Sequence, residues 1–330
     1  MNGYKKIIAS AEARRRILSA LSFIPDGAMI RLQYRIKTGR WPNLRNPERY
    51  TEKLQWYKLH YRNPLMTTCS DKYAVRGYVT SRGFGDMLNE LYAVYRSPEE
   101  IDFSFLPDAF AMKLNNGSGT NLFINNKSRA NEGEVKAQFE RWMKSLASSN
   151  PGREWGYDGI EPRIVVERLY PRNEFNDIPE YKFFCFDGRV RCLYVMQNYI
   201  DDHTKGELGF FDRDFNLLEA RRKDFNPLIS LPKKPVEFEK MVECAERLSE
   251  GFPHVRVDFF DIEGKAMFAE MTFYNASGYT VFEPDEFDFE LGGGFSLPSP
   301  DDTHVVGGLR RRHERRSQAT CEGSNGGQRG

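Results

Sequence analysis

The stretch that most restricts the fold of this chain is His254–Asn275, HVRVDFFDIEGKAMFAEMTFYN. Two alternating runs rich in Val, Phe and Met flank a Gly-containing turn, which predicts an antiparallel hairpin. In the first run Val255, Val257 and Phe259 share one face, and Arg256, Asp258 and Phe260 the other. In the second run Met267, Ala269, Met271 and Phe273 oppose Phe268, Glu270 and Thr272. Pairing the runs brings Asp258 and Glu270 to one cavity beside Arg256. Two carboxylates with an oxygen or amide ligand, Thr272 or Asn275, suit Mg²⁺, a hard ion that prefers oxygen donors and keeps bound phosphates. On a wet hairpin the same charges would merely pair, and both readings stand on this stretch alone.

The chain has 330 residues, 40% hydrophobic and 29% charged, which predicts a soluble globular protein of two or three compact units. A net charge of +1 gives no case for nucleic-acid binding. Five Cys without a C-x-x-C fit reduced cytosolic thiols better than a disulfide framework. No apolar run approaches the length of a membrane span, and no signal peptide is expected. Charge is uneven, with nine Lys or Arg in residues 1–40 against Glu12 and Asp26. Arg14–Arg16 and Arg35–Arg40 fit contact with an anionic membrane surface, an anionic polymer, or water alone.

Taken in order, residues 4–24 and 29–44 are basic, and the first of these has helical periodicity. RYTEKLQWYKLHY predicts a helix with Thr51 as N-cap, and Ser70 or Asp71 caps a short one ending near Gly83. Asp71, Lys72 and Arg76 either reach a site or stabilise that helix. FAMKLNNGSGTNLFINN places Lys113 on a strand entering a glycine-rich turn, able to hold phosphates or simply to close a hairpin. It lacks the GK[ST] of a P-loop. Helices are predicted over 131–149 and 235–252, and strands over 162–170 and 180–199. Asp201, Asp202 and His203 read as either a metal cluster or a solvated turn, and His254 adjoins the hairpin charges. DEFDFELGGGFSLP predicts a flexible glycine-rich segment, and 301–330 a disordered basic tail.

YTEKLQWYKLHYRNPL, DKYAVRGYV, FAMKLNNGSGTNLFINN, EYKFFCFDGRV and VRVDFFDIEGKAMFAEMTFY follow one another in an order that resembles the ATP-grasp superfamily, specifically its TupA-like (teichuronopeptide-biosynthesis-like) branch. The resemblance implies an α+β fold whose two lobes hold ATP between them. With it goes a mainly helical region over 1–100, a small lobe over 101–170 and a large lobe over 171–300. It implies Lys113 on the α- and β-phosphates and Gly117, Ser118 and Gly119 in a closing loop. Glu167 and Leu169 would lie beside adenine and ribose, with Lys182 near the nucleotide. Arg256 would steady an acyl-phosphate-like transition state, and Asp258 and Glu270 would bind Mg²⁺. The superfamily's E-x-N becomes Glu270-Met271-Thr272 here, which leaves Thr272 and Asn275 as rival third ligands. The expected activity is joining a carboxylate to an amine at the expense of ATP, on a bacterial surface polysaccharide or its precursor. A glycosyltransferase, a sugar-modifying phosphotransferase and a glycan-complex binding module are the alternatives. The expected location is the cytoplasm, with peripheral contact at the inner face of the plasma membrane.

Overall fold

The computed structural model describes residues 21, 23–147, 150–200, 204–299 and 302–306. The first basic segment up to residue 20, the Asp201–His203 cluster and the tail beyond 306 lie outside them. Two hydrophobic cores divide the molecule. The smaller lies under a four-stranded antiparallel sheet, ordered β1 (Leu91–Tyr95), β4 (Ile164–Arg168), β2 (Phe110–Leu114), β3 (Asn121–Ile124). Helix α5 (Glu132–Ala147) covers it with Val135 and Phe139, the buried part of its predicted apolar stripe. Because β1 belongs to this sheet, the small lobe includes residues from Leu91 on rather than starting at residue 101, as the resemblance implies.

The larger core surrounds a five-stranded antiparallel sheet in the order β10 (Lys265–Thr272), β9 (His254–Ile262), β5 (Glu180–Phe186), β6 (Arg189–Gln197), β7 (Glu207–Asp212). Phe238, Met241, Val242, Ala245 and Leu248 of α6 (Phe238–Ser249) are buried in this core, as their spacing predicts. The described residues before 101 are not a separate unit. Tyr50, Leu54, Tyr57 and Tyr61, at helical spacing, enter the large core from α2 (Tyr50–His60) and the residue after it. Their stripe is buried in the core around the sheet, so α2 belongs to this lobe.

Two local expectations change for physical reasons. Thr51 does not cap its own helix. Its N–H and hydroxyl donate instead to the buried Asp288 carboxylate, at 3.0 and 2.8 Å, so the cap comes from α7 (Glu286–Gly294). The DEFDFELGGG segment is that helix rather than a flexible linker. A Cβ on Gly292 would lie well inside van der Waals contact of the Glu48 carbonyl, so the glycine admits α2's backbone rather than a substrate. Residues 302–306 are likewise tied down. Val305 is buried and bridged to Tyr61, and Val306 N–H donates to the His60 carbonyl at 2.7 Å.

Candidate functional site

The hairpin β9–β10 forms with one departure from strict alternation. Phe268 stands opposite Phe259 and Glu270 opposite Asp258, so Ala269 is an extra residue, a β-bulge. The bulge reverses the phase. Phe268 leaves the carboxylates' face and meets the edge of Phe259, with ring centroids 6.2 Å apart. Glu270 and Thr272 remain opposite Asp258 and Arg256. Register across β5 and β6 adds Lys182, opposite both Asp258 and Tyr194. One sheet face therefore collects Lys182, Tyr194, Arg256, Asp258, Glu270 and Thr272.

These side chains form one network. Arg256 donates from Nε and Nη2 to the two Asp258 oxygens, at 2.7 and 2.6 Å. Its Nη1 reaches Asn275 Oδ1 at 2.6 Å, and Nη2 also reaches Thr272 Oγ1 at 3.1 Å and Glu270 Oε1 at 3.4 Å. Lys182 Nζ donates to Asp258 Oδ2 at 2.6 Å and pairs with Glu180. Burial works against the charged form of Lys182, but the Asp258 and Glu180 carboxylates outweigh it and hold its pKa well above the ordinary value. Burial likewise opposes ionisation of Glu270, yet Lys72, Lys182 and Arg256 bring it down to about 2.

Lys72 belongs to the same constellation. The Asp71 carboxylate accepts from the Tyr73 and Ala74 N–H groups, shaping the turn into α4 (Val75–Ser81). Lys72 Nζ then donates to the Gly117 carbonyl at 2.8 Å and stands 3.9 Å from Glu270 Oε2. It thus links the glycine-rich loop of the small lobe to the large-lobe carboxylate. A cavity of about 820 Å³ opens here, lined among others by Lys72, Gly117, Ser118, Arg256, Glu270 and Thr272. Gly119 takes a left-handed φ of 69°, which lets the exposed loop turn back into β3.

Lys113 and Glu167 come together on adjacent strands, with Nζ 2.6 Å from the carboxylate, and Arg76 joins them at 3.1 Å. They line a smaller cavity with Tyr170, Phe260 and Ala269, into which Lys72 also reaches. Leu169 lies past the end of β4 and lines neither cavity. Asn275 is fully buried with its oxygen turned to Arg256, so it orients the guanidinium, whereas Thr272 lines the cavity, its hydroxyl accepting from Arg256 and donating to Glu270. His254 lies in the core. It joins Tyr50 Oη at 3.0 Å and the Cys185 carbonyl at 3.0 Å, and burial lowers its pKa to about 3. It packs; it does not face the site.

Asp258 and Lys182 lie beneath the surface formed by Arg256, Glu270 and Thr272. Among the described residues no three His, Cys, Asp or Glu side chains could hold a metal by themselves. The oxygens of Glu270 and Thr272, half-buried residues on the cavity wall, nevertheless suit a hard divalent ion whose remaining ligands are phosphate oxygens.

Two α+β lobes, with cations and oxygen donors converging on the cavity between a glycine-rich loop and an acidic hairpin, define an ATP-grasp protein. More narrowly, the chain belongs to the TupA-like ATP-grasp family, whose model matches residues 52–296. No curated protein matches it. Similar solved structures include D-alanine–D-alanine ligase from Bacillus anthracis complexed with ATP, 14% identical over 62% of this chain and 55% of that one, TM-score 0.37. The same enzyme in another structure is 13% identical over 78% and 72%, TM-score 0.41. D-cycloserine synthetase DcsG is 12% identical over 70% of each chain, TM-score 0.40. The chain thus spans about half the length of the first of these, and the family assignment rests on the family model.

Proposed function

We propose that this protein is an ATP- and Mg²⁺-dependent ligase that activates a carboxylate as an acyl phosphate and passes the acyl group to an amine. The observation that carries the reading is the meeting of Lys72, Arg256, Glu270 and Thr272 at one cavity beside the glycine-rich loop. Arg256 is held by Asp258, Asn275, Thr272 and Glu270, so little reorganisation is needed when negative charge develops beside it. Lys72 supplies a second positive charge from the opposite wall, where phosphoryl transfer builds up charge on oxygen. Glu270 and Thr272 would hold Mg²⁺, with Asp258 behind them, and the ion would neutralise phosphate charge. Glu167 would lie toward the nucleoside end of ATP and Lys113 toward its phosphates; the cavity that they flank is about 30 Å³ and would have to widen to admit them.

The substrate side rests on the family resemblance: a uronic acid, or an amino acid attached to it, on a surface polysaccharide or its precursor. The location proposed with it is the cytoplasm, at the inner face of the plasma membrane. Among the described residues no helix is long and apolar enough to cross a membrane. Arg40 is an unsuitable membrane contact, since it is engaged with Asp285 at 2.7 Å. Calorimetric titration with a non-hydrolysable ATP analogue, with and without Mg²⁺, tests the nucleotide reading. Lys72→Met is expected to weaken binding at least tenfold, and absence of any heat from the unaltered protein would refute the proposal. Transfer of oxygen-18 from the carboxylate into inorganic phosphate tests the acyl phosphate itself.

A further inference from the structure

We infer that Glu154, between Tyr157 and Tyr274 on the cavity wall, is the docking point for the ammonium group of the amine substrate. The inference rests on the ligase reading and names where the second substrate binds. The large cavity extends from Lys72 and Arg256 to a wall that contains Gly152, Glu154 and Ser277. Its volume of about 820 Å³ is within the range of sites that enclose small molecules. The Tyr157 phenol senses both ends. Burial raises its pKa, and the fields of Glu154 and Glu270 raise it further, against Arg256.

Glu154 is well placed and poorly satisfied. Its side chain is only 19% exposed, and its carboxylate accepts no hydrogen bond among the described residues. The nearest ammonium, Lys58 Nζ, stands 3.9 Å away. Lys58 directs its three donors elsewhere, to the Gly152 carbonyl at 2.9 Å, the Ser277 carbonyl at 2.7 Å and Ser277 Oγ at 2.8 Å. A Cβ on Gly152 would meet Glu154 Oε1 at 2.9 Å and Ser277 Oγ at 3.1 Å, so the glycine leaves room for these groups to stand close together. A partly buried carboxylate without a donor is costly, and an entering cation would offset that cost. Tyr157 and Tyr274 line the same stretch of the cavity wall.

The arrangement separates the two halves of the reaction. The acyl phosphate would form at the Lys72–Arg256 end while the amine waits at Glu154. The ammonium loses one proton to water, and its lone pair forms the C–N bond. The C–O bond to phosphate then breaks with its electron pair, and the second nitrogen proton leaves with the phosphate.

The test is calorimetry with putrescine and D-glucosamine as amine probes, and 1,4-butanediol and D-glucose as uncharged counterparts. Each is titrated with and without the ATP analogue and Mg²⁺. At least one amine is expected to bind ten times or more tightly than its counterpart. Glu154→Gln should weaken that amine at least tenfold while leaving nucleotide affinity unchanged, which also shows that the variant is folded. Glu154→Asp should recover part of the loss. Equal binding of charged and uncharged probes, an unaffected Glu154→Gln variant, or failure of both amines to bind the unaltered protein would each overturn the inference. Failure of the nucleotide alone to bind counts against the ligase reading, while the titrations without nucleotide still report on Glu154.

Discussion

Replacing Asp258 by Asn removes one negative charge from beneath two buried cations. The carboxylate is fully buried and accepts three charge-assisted hydrogen bonds, two from Arg256 and one from Lys182, at 2.6–2.7 Å. At roughly 1.5–3 kcal/mol each, their sum sets a ceiling of about 5–9 kcal/mol, because contacts within one network do not add. Removing one partner of a buried pair costs about 3–5 kcal/mol, since the remaining charge stays uncompensated. Asparagine keeps the volume but turns an NH₂ toward a cation, so Asp258→Asn should destabilise by about 3–5 kcal/mol, a large share of a typical total of roughly 5–15. Urea unfolding measures this as a lower midpoint at unchanged slope. Adding Lys182→Met removes one stranded cation, so the double variant should be more stable than the two separate losses predict, by at least about 1 kcal/mol. A loss below about 1 kcal/mol for Asp258→Asn, or strict additivity in the double variant, would refute the idea of a dry site held by mutual charge.

Lys58 gives a pH signature. Burial lowers its pKa to about 7 from an ordinary 10.5, so between these values the unfolded chain holds a proton that the folded one has released. Stability relative to Lys58→Met should therefore rise with pH from about 7 to 9, with a slope of up to about 1.4 kcal/mol per pH unit. A flat difference in unfolding free energy across that interval would contradict it. Gly292→Ala should cost about 2 kcal/mol or more by driving α2 from α7, whereas Gly293→Ala, whose Cβ meets nothing within 4 Å, should be neutral or gain a little helix stability. Equal thermal midpoints for the two variants would show that the helix crossing is looser than described.

The elements that repeat locally were legible in the chain itself. Period-two alternation marked β9 and β10, and period 3.6 marked α5 and α6, because each apolar set needs one buried face. The same alternation placed Arg256, Asp258, Glu270 and Thr272 on one face, and the order of motifs supplied the family. Alternation could not show the bulge at Ala269, since an extra residue is defined only against its partner strand. Nor could it separate Thr272 from Asn275, because which oxygen meets Arg256 depends on how the chain bends after β10. For a like reason local pattern does not decide whether Lys72 reaches the site, and it gives no sign of Glu154. Lys72 is drawn into the site by Gly117, far away in sequence, and Glu154 reaches the cavity wall only because the fold brings its loop beside Arg256, Glu270 and Tyr274. Local pattern determines which faces must be buried; long-range packing alone decides which charges are left facing the cavity.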